Sequence, residues 1–156
     1  MTDYKMIAKQ ILSLAEISSN PVCIMANASA LLFYSMEKIN WAGFYIVENG
    51  SLLLGPFQGR AACVKIEKGR GVCGTAWAED KIQLVDDVHS FPGHIACDSA
   101  SKSEIVLPIH RGNEVAAVLD MDSPETARFS TYDKEGLSDI VCALEKAISW
   151  DGEADE

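Results

Sequence analysis

No apolar run in this 156-residue chain approaches the ~20 residues that a membrane-spanning helix needs. The start, MTDYKMIAKQ, lacks an apolar core followed by a small-residue cleavage site. No secretory signal is therefore expected, and a cytoplasmic protein is. Basic residues are scarce, 13 Lys and Arg against 23 Asp and Glu, for a net charge of −10. Such a surface repels phosphate backbones and anionic lipid headgroups, which argues against nucleic acid and membrane as partners. Much of the excess acts simply for solubility, and part of it lies in the terminal DGEADE, read as an acidic tail over 151–156. Repeats, low-complexity tracts and internal linkers are missing too, so residues 1–150 read as one domain. With 48% hydrophobic residues, the chain has ample material for a packed core, which rules out disorder.

The five cysteines include no CxxC pair, which a zinc knuckle normally shows. His89 and His94 lie near Cys97, but no metal is expected. Without a secretory signal the thiols are expected to be reduced, and an odd count leaves one unpaired under any pairing. Cys23 and Cys142 fall inside predicted helices and are read as small core residues. Cys63, Cys73 and Cys97 stand 10 and 24 residues apart.

Apolar spacing predicts a helix over 4–18, with Tyr4, Ile7, Ile11 and Leu14 on one face, and a second over about 22–37. Residues 40–48, NWAGFYIVE, alternate as a strand, and Asn49-Gly50 turns the chain into the partner SLLLGPF. A short strand is expected near 62–66. The Gly-rich GRGVCGTAWAEDK leads into a short helix over about 72–79, and Ile82–Val88 reads as a strand. Residues 89–102 have no period and form a long loop, a kind of segment that is usually functional. Strands follow over 104–109 and 115–122. The last helix opens at Ser130, with Asp133 completing a capping pair and Leu137, Ile140, Val141, Leu144 and Ile148 as its buried stripe. Hairpins predominate, so the fold class is α+β: a mainly antiparallel six-stranded sheet packed by helices.

Cys97 sits in the aperiodic loop, where an exposed thiolate can be a nucleophile or an ordinary loop cysteine. Cys73 stands at a helix start, where free N–H groups and the helix dipole lower a thiol pKa. It is expected to be accessible. Asp120 and Asp122 share one strand face about 7 Å apart, and Glu104 opens a neighbouring strand. Together they suit an ammonium group or a shared proton; singly, each is better explained as solvated surface. Trp41, Gly43 and Tyr45 also share a face, and Gly43 leaves room for a small apolar group unless the rings merely fill core.

The stretches NWAGFY (40–45), LGPFQGRAACVKI (54–66), GRGVCGTAWAE (69–79), FPGHIACDSASKSEIVLPI (91–109) and VLDMDSP (118–124) carry a resemblance over nearly the whole chain. They resemble the free methionine-(R)-sulfoxide reductases, which are built on a GAF domain. The resemblance implies a single GAF domain that reduces free L-methionine-(R)-sulfoxide, and not the oxidised residue within proteins. It implies Cys97 as the catalytic cysteine, with Cys63 and Cys73 able to form the recycling disulfide. Cys63 is favoured as principal resolver, because it precedes a strand, with Cys73 assisting. Trp41 and Tyr45 match the positions that hold the methyl end. Glu104, Asp120 and Asp122 match those that contact the polar groups, with Glu104 or an aspartate supplying the acid. No bound cofactor is implied, only an external thiol reductant such as thioredoxin. The oligomeric state stays open, a homodimer included. A small-molecule-sensing GAF module and a redox-sensing cysteine protein are the competing functions.

Overall fold

The computed structural model describes residues 1–94 and 100–151. Its elements run α1 (Tyr4–Ala15), α2 (Pro21–Ser35), β1 (Trp41–Glu48), β2 (Ser51–Gly59), β3 (Lys65–Glu67), α3 (Gly71–Glu79), β4 (Gln83–Val85), β5 (Ser103–Arg111), β6 (Glu114–Ser123) and α4 (Thr131–Ala147). The six strands form one sheet in the order β3-β2-β1-β6-β5-β4, and every neighbouring pair is antiparallel. This is the expected α+β architecture.

Local chemistry accounts for where the elements begin and end. Asp3 caps α1 by accepting from the Met6 N–H at 3.0 Å, and Asn20 caps α2 by accepting from Val22 at 2.9 Å, with Pro21 in the first turn. α1 stops at Ala15, three residues before the expected end. Residues 16–18 instead form the reversal, in which the Ile17 and Ser18 N–H groups fold back onto the Leu14 carbonyl. Asn49 and Gly50 both adopt positive φ, the turn that joins β1 to β2. Ser130 and Asp133 form a reciprocal capping box at α4.

Two strands are shorter or displaced from their expected spans. The Asp87 side chain accepts from the His89 N–H at 3.0 Å and starts a 3-10 turn over 88–90, so β4 ends at Val85. β3 pairs Lys65–Glu67 with Leu53–Ser51, which leaves 61–64 outside the sheet.

Strand alternation divides the molecule into two apolar clusters. One face presents Phe44, Ile105, Leu107, Ile109, Leu119 and Met121 to α1, α2 and α4. Each fully buried Leu or Ile there contributes about 1.5–3 kcal/mol relative to exposure. The opposite face presents Trp41, Tyr45, Val106 and Val118 to α3 and β3. α4 turns Ile140, Val141 and Leu144 inward, but Cys142 points outward and is exposed, as is Cys23 on α2. The expectation that both are core cysteines is corrected: each adjoins its helix's buried stripe, one position around the wheel from it. Among the described residues, no helix is long and apolar enough to cross a membrane.

Candidate active site

The site lies on the sheet face that α3 covers. Register across the three central strands pairs Glu104 with Asp122 and Val106 with Asp120, while β1 sets Trp41 opposite Asp122 and Gly43 opposite Asp120. Three acidic side chains from two adjacent strands therefore converge beside the aromatic pair. Asp120 and Glu104 are buried, 5% and 7% exposed, and Asp122 is half-buried. Solvated surface does not describe them.

Such crowding decides their protonation. Burial pushes the Glu104 carboxyl well above its usual range, and the nearby Asp120 and Asp122 charges push it further. Burial also raises Asp120, against hydrogen bonds from Glu104, Cys73 and Asp122 that favour its charged form. Glu104 is thus the group that keeps a proton, and Asp120 is the more ready of the two to ionise. One Asp120 oxygen, Oδ1, is buried without a hydrogen-bond partner among the described residues.

Trp41 and Tyr45 are both 2% exposed, with ring centroids 6.0 Å apart and planes 21° from parallel. Phe57 also stacks on Trp41, with ring centroids 5.1 Å apart. The rings are held by their polar ends: Trp41 Nε1 donates to the Arg60 carbonyl at 3.1 Å, and the Tyr45 hydroxyl donates to the Cys63 carbonyl at 2.8 Å. Both acceptors belong to the segment that leaves the sheet before β3. The aromatic wall and the Arg60–Cys63 segment are therefore one unit. The gap expected at Gly43 is not free. A Cβ there would lie 2.2 Å from Phe57 Cβ, so glycine lets β2 close in on β1 at this point.

A cavity of about 40 Å³ opens among Trp41, Tyr45, Ala61, Ala62, Ile66, Asp120 and Asp122. It has room for about one water, so a larger ligand requires the cavity to widen. Phe57, Ile66, Ala61 and Ala62 belong to this site and were not singled out in the sequence. The alternation of SLLLGPF is the signal for Phe57; no sequence pattern marks the other three.

Cys73 departs most from expectation. It lies at the start of α3 but points into the pocket face, 4% exposed, with Sγ 4.0 Å from Glu104 Oε2. Burial pushes its thiol well above the usual value, and the Asp120 and Glu104 charges add to this. Desolvation and like charge overwhelm the helix-terminus effect, so Cys73 is neither accessible nor acidic. Cys63 is half-buried and disulfide-bonded, whereas Cys23, Cys73 and Cys142 are free thiols. Cys97 lies outside the described residues. His89 is exposed and turned toward Asp87 at 3.0 Å. The metal-type grouping among the described residues is Cys73, Glu104 and Asp120, not the histidines.

Residues 29–149 match the GAF domain family. The chain is 54% identical over 125 residues to the free methionine-R-sulfoxide reductase of Escherichia coli, covering 80% of this chain and 76% of that protein. The reduced form of fRMsr from Staphylococcus aureus superposes with a TM-score of 0.91 at 50% identity, covering 96% of this chain and 97% of the other. The same protein in complex with its substrate gives 0.89 over the same coverage. With this fold, this identity and this coverage, the chain belongs to the GAF-domain family of free methionine-R-sulfoxide reductases.

Proposed function

We propose that this protein reduces free L-methionine-(R)-sulfoxide to L-methionine by thiol chemistry. The observation that carries this reading is the buried Glu104–Asp120 pair beside the stacked Trp41–Tyr45 wall. It joins a proton donor, a carboxylate and an apolar surface in one pocket. The names of the E. coli and S. aureus relatives support the same substrate.

Each group then has a role. The aromatic wall takes the S-methyl end of the substrate. Asp120 and Asp122 receive the ammonium group, whose charge satisfies the unpartnered Asp120 oxygen. A residue within a polypeptide has no such ammonium, and a site built for it rejects ligands that lack it. The Cys97 thiolate attacks the sulfoxide sulfur while Glu104 gives its proton to the oxygen. Methionine departs and Cys97 is left as a sulfenic acid. The Cys63 thiol then condenses with that sulfur, releasing water and forming a disulfide. A dithiol of the thioredoxin type reopens it by exchange, with no bound cofactor. Cys63 is favoured for this step because it is disulfide-bonded while Cys73 stays a buried thiol, which leaves Cys73 the assisting role. Residues 1–150 act as the one catalytic domain, with 151–156 as a tail, and the cytoplasm supplies the reductant.

The test is methionine formation by purified protein with a dithiol, comparing the free R-sulfoxide with its N-acetyl derivative. Turnover of the free amino acid, with at least ~100-fold lower kcat/KM for the derivative, is expected. A sensing module binds without releasing methionine, and a redox sensor forms its disulfide under peroxide yet turns over no sulfoxide. Either result overturns the proposal.

A further inference from the structure

Three metal-type donors, Cys73, Glu104 and Asp120, gather beside the cavity, which Asp120 lines. One ligand atom each from Cys73, Glu104 and Asp120 lies within 4.8 Å of the other two, and all three residues are buried. Cys73 Sγ lies 4.0 Å from Glu104 Oε2. A tetrahedral zinc ion, with Zn–S of about 2.3 Å and Zn–O of about 2.0 Å, sets that separation at roughly 3.5 Å. That pair closes by about half an ångström to reach it, and the remaining pairs lie within 4.8 Å. The donors come from α3, β5 and β6, elements packed against one another.

A second observation is independent of the clustering. Asp120 is 5% exposed and lines the cavity, yet its Oδ1 has no hydrogen-bond partner among the described residues. A buried acceptor left unsatisfied costs about 1–3 kcal/mol, and a cation arriving through the cavity removes that cost.

We propose that Cys73, Glu104 and Asp120 form a binding site for a thiophilic divalent cation of the zinc type. The ion takes the Cys73 sulfur and one oxygen from each carboxylate, and its fourth position, toward the cavity, keeps a water. The thiol proton and the carboxyl proton on Glu104 leave to solvent as the metal bonds form, two protons per ion. A mixed sulfur and oxygen set disfavours Mg²⁺ and Ca²⁺, which take oxygen ligands. The ion lies on Asp120, where the substrate ammonium is assigned. Zinc therefore excludes substrate, a consequence that rests on the proposed function, whereas the binding does not.

Cobalt(II) is the probe, added to the Cys63→Ser, Cys97→Ser variant so that the two disulfide-forming thiols are removed. One equivalent is expected to produce a thiolate-to-cobalt absorption band that one equivalent of Zn²⁺ abolishes. Cys73→Ala in the same background should lose the band. Asp120→Asn, nearly isosteric, should weaken binding at least ~10-fold while its thermal unfolding shows a folded chain. Failure of cobalt to give the band, or its survival in Cys73→Ala, overturns the site. In the wild type, Zn²⁺ should raise the KM for the sulfoxide, and binding without that rise overturns the exclusion of substrate. If metal-free enzyme forms no methionine, the activity fails while the cobalt result still decides the site.

Discussion

Glu104 owes its proton to where β5 begins. The strand places it opposite Asp122 and beside Asp120, under α3, so ionising it adds charge to a buried acidic pair. Two consequences follow at the level of this residue. Glu104→Gln keeps the shape but has no proton to give. Single-turnover methionine formation should fall by about 100-fold or more, measured by rapid quench, with substrate affinity less affected. The wild-type rate should fall as pH rises through the elevated Glu104 value, because the acid form is the donor. Folding follows the same sign. A carboxyl with a raised native pKa favours the native state below its ordinary value and loses that contribution as pH rises through the folded one. The melting temperature of Glu104→Gln should therefore gain on the wild type toward alkaline pH. A constant difference between the two across the range contradicts the assignment.

Single residues also show what the sequence discloses and what it conceals. Asp120 and Asp122 were placed on one face by strand period alone, and Trp41 and Tyr45 by the same rule. Cys73 departs from expectation because a Gly-rich helix start signals an accessible, acidic thiol, whereas its burial depends on β5 and β6, some 30 to 50 residues away. Cys142 illustrates the reverse: proximity to a core stripe does not make a position inward-facing. The role proposed for Cys97 comes only from the resemblance, since a loop cysteine has no period to read.

Among the elements, α3 and α4 hold the pocket face and the opposite face of the sheet, and His110 ties them together. Its Nε2 lies 2.6 Å from Asp80, just past α3, and its Nδ1 lies 3.1 Å from Glu145 on α4. Burial disfavours the charged ring, but the bonds to Asp80 and Glu145 more than offset this and raise its pKa. The resulting stabilisation is complete below the ordinary histidine range and fades as pH rises through the raised value. Replacing His110 with Ala should lower the melting temperature at mildly acidic pH and matter less in alkali. An equal loss at both contradicts the bridge. At α4, Ser130→Ala removes half of the capping box and should cost about 1 kcal/mol in denaturant unfolding. The capping box and the Asn49-Gly50 turn were legible because their chemistry is local. The ends of β3 and β4 were not, because pairing with β2 and the Asp87 turn set them.

On the scale of the whole molecule, one sheet separates two tasks. The face under α1, α2 and α4 buries the larger apolar cluster, and the face under α3 spends strand positions on carboxylates that a core alone would not choose. A protonated Glu104 relieves the repulsion among the acids there. The antiparallel sheet and its helices were visible from hairpins and periodicity, while the pocket required the order β1-β6-β5 that brings distant strands together. In the proposed reaction this face, with Cys97, reduces the free amino acid and stores the oxidising equivalents in the chain's own cysteines. It is tested most directly by a single turnover. Protein is first reduced, freed of reductant, and mixed with excess free L-methionine-(R)-sulfoxide. About one methionine per chain is expected, with the loss of two titratable thiols, one of them Cys63. No methionine, or methionine without thiol loss, contradicts it.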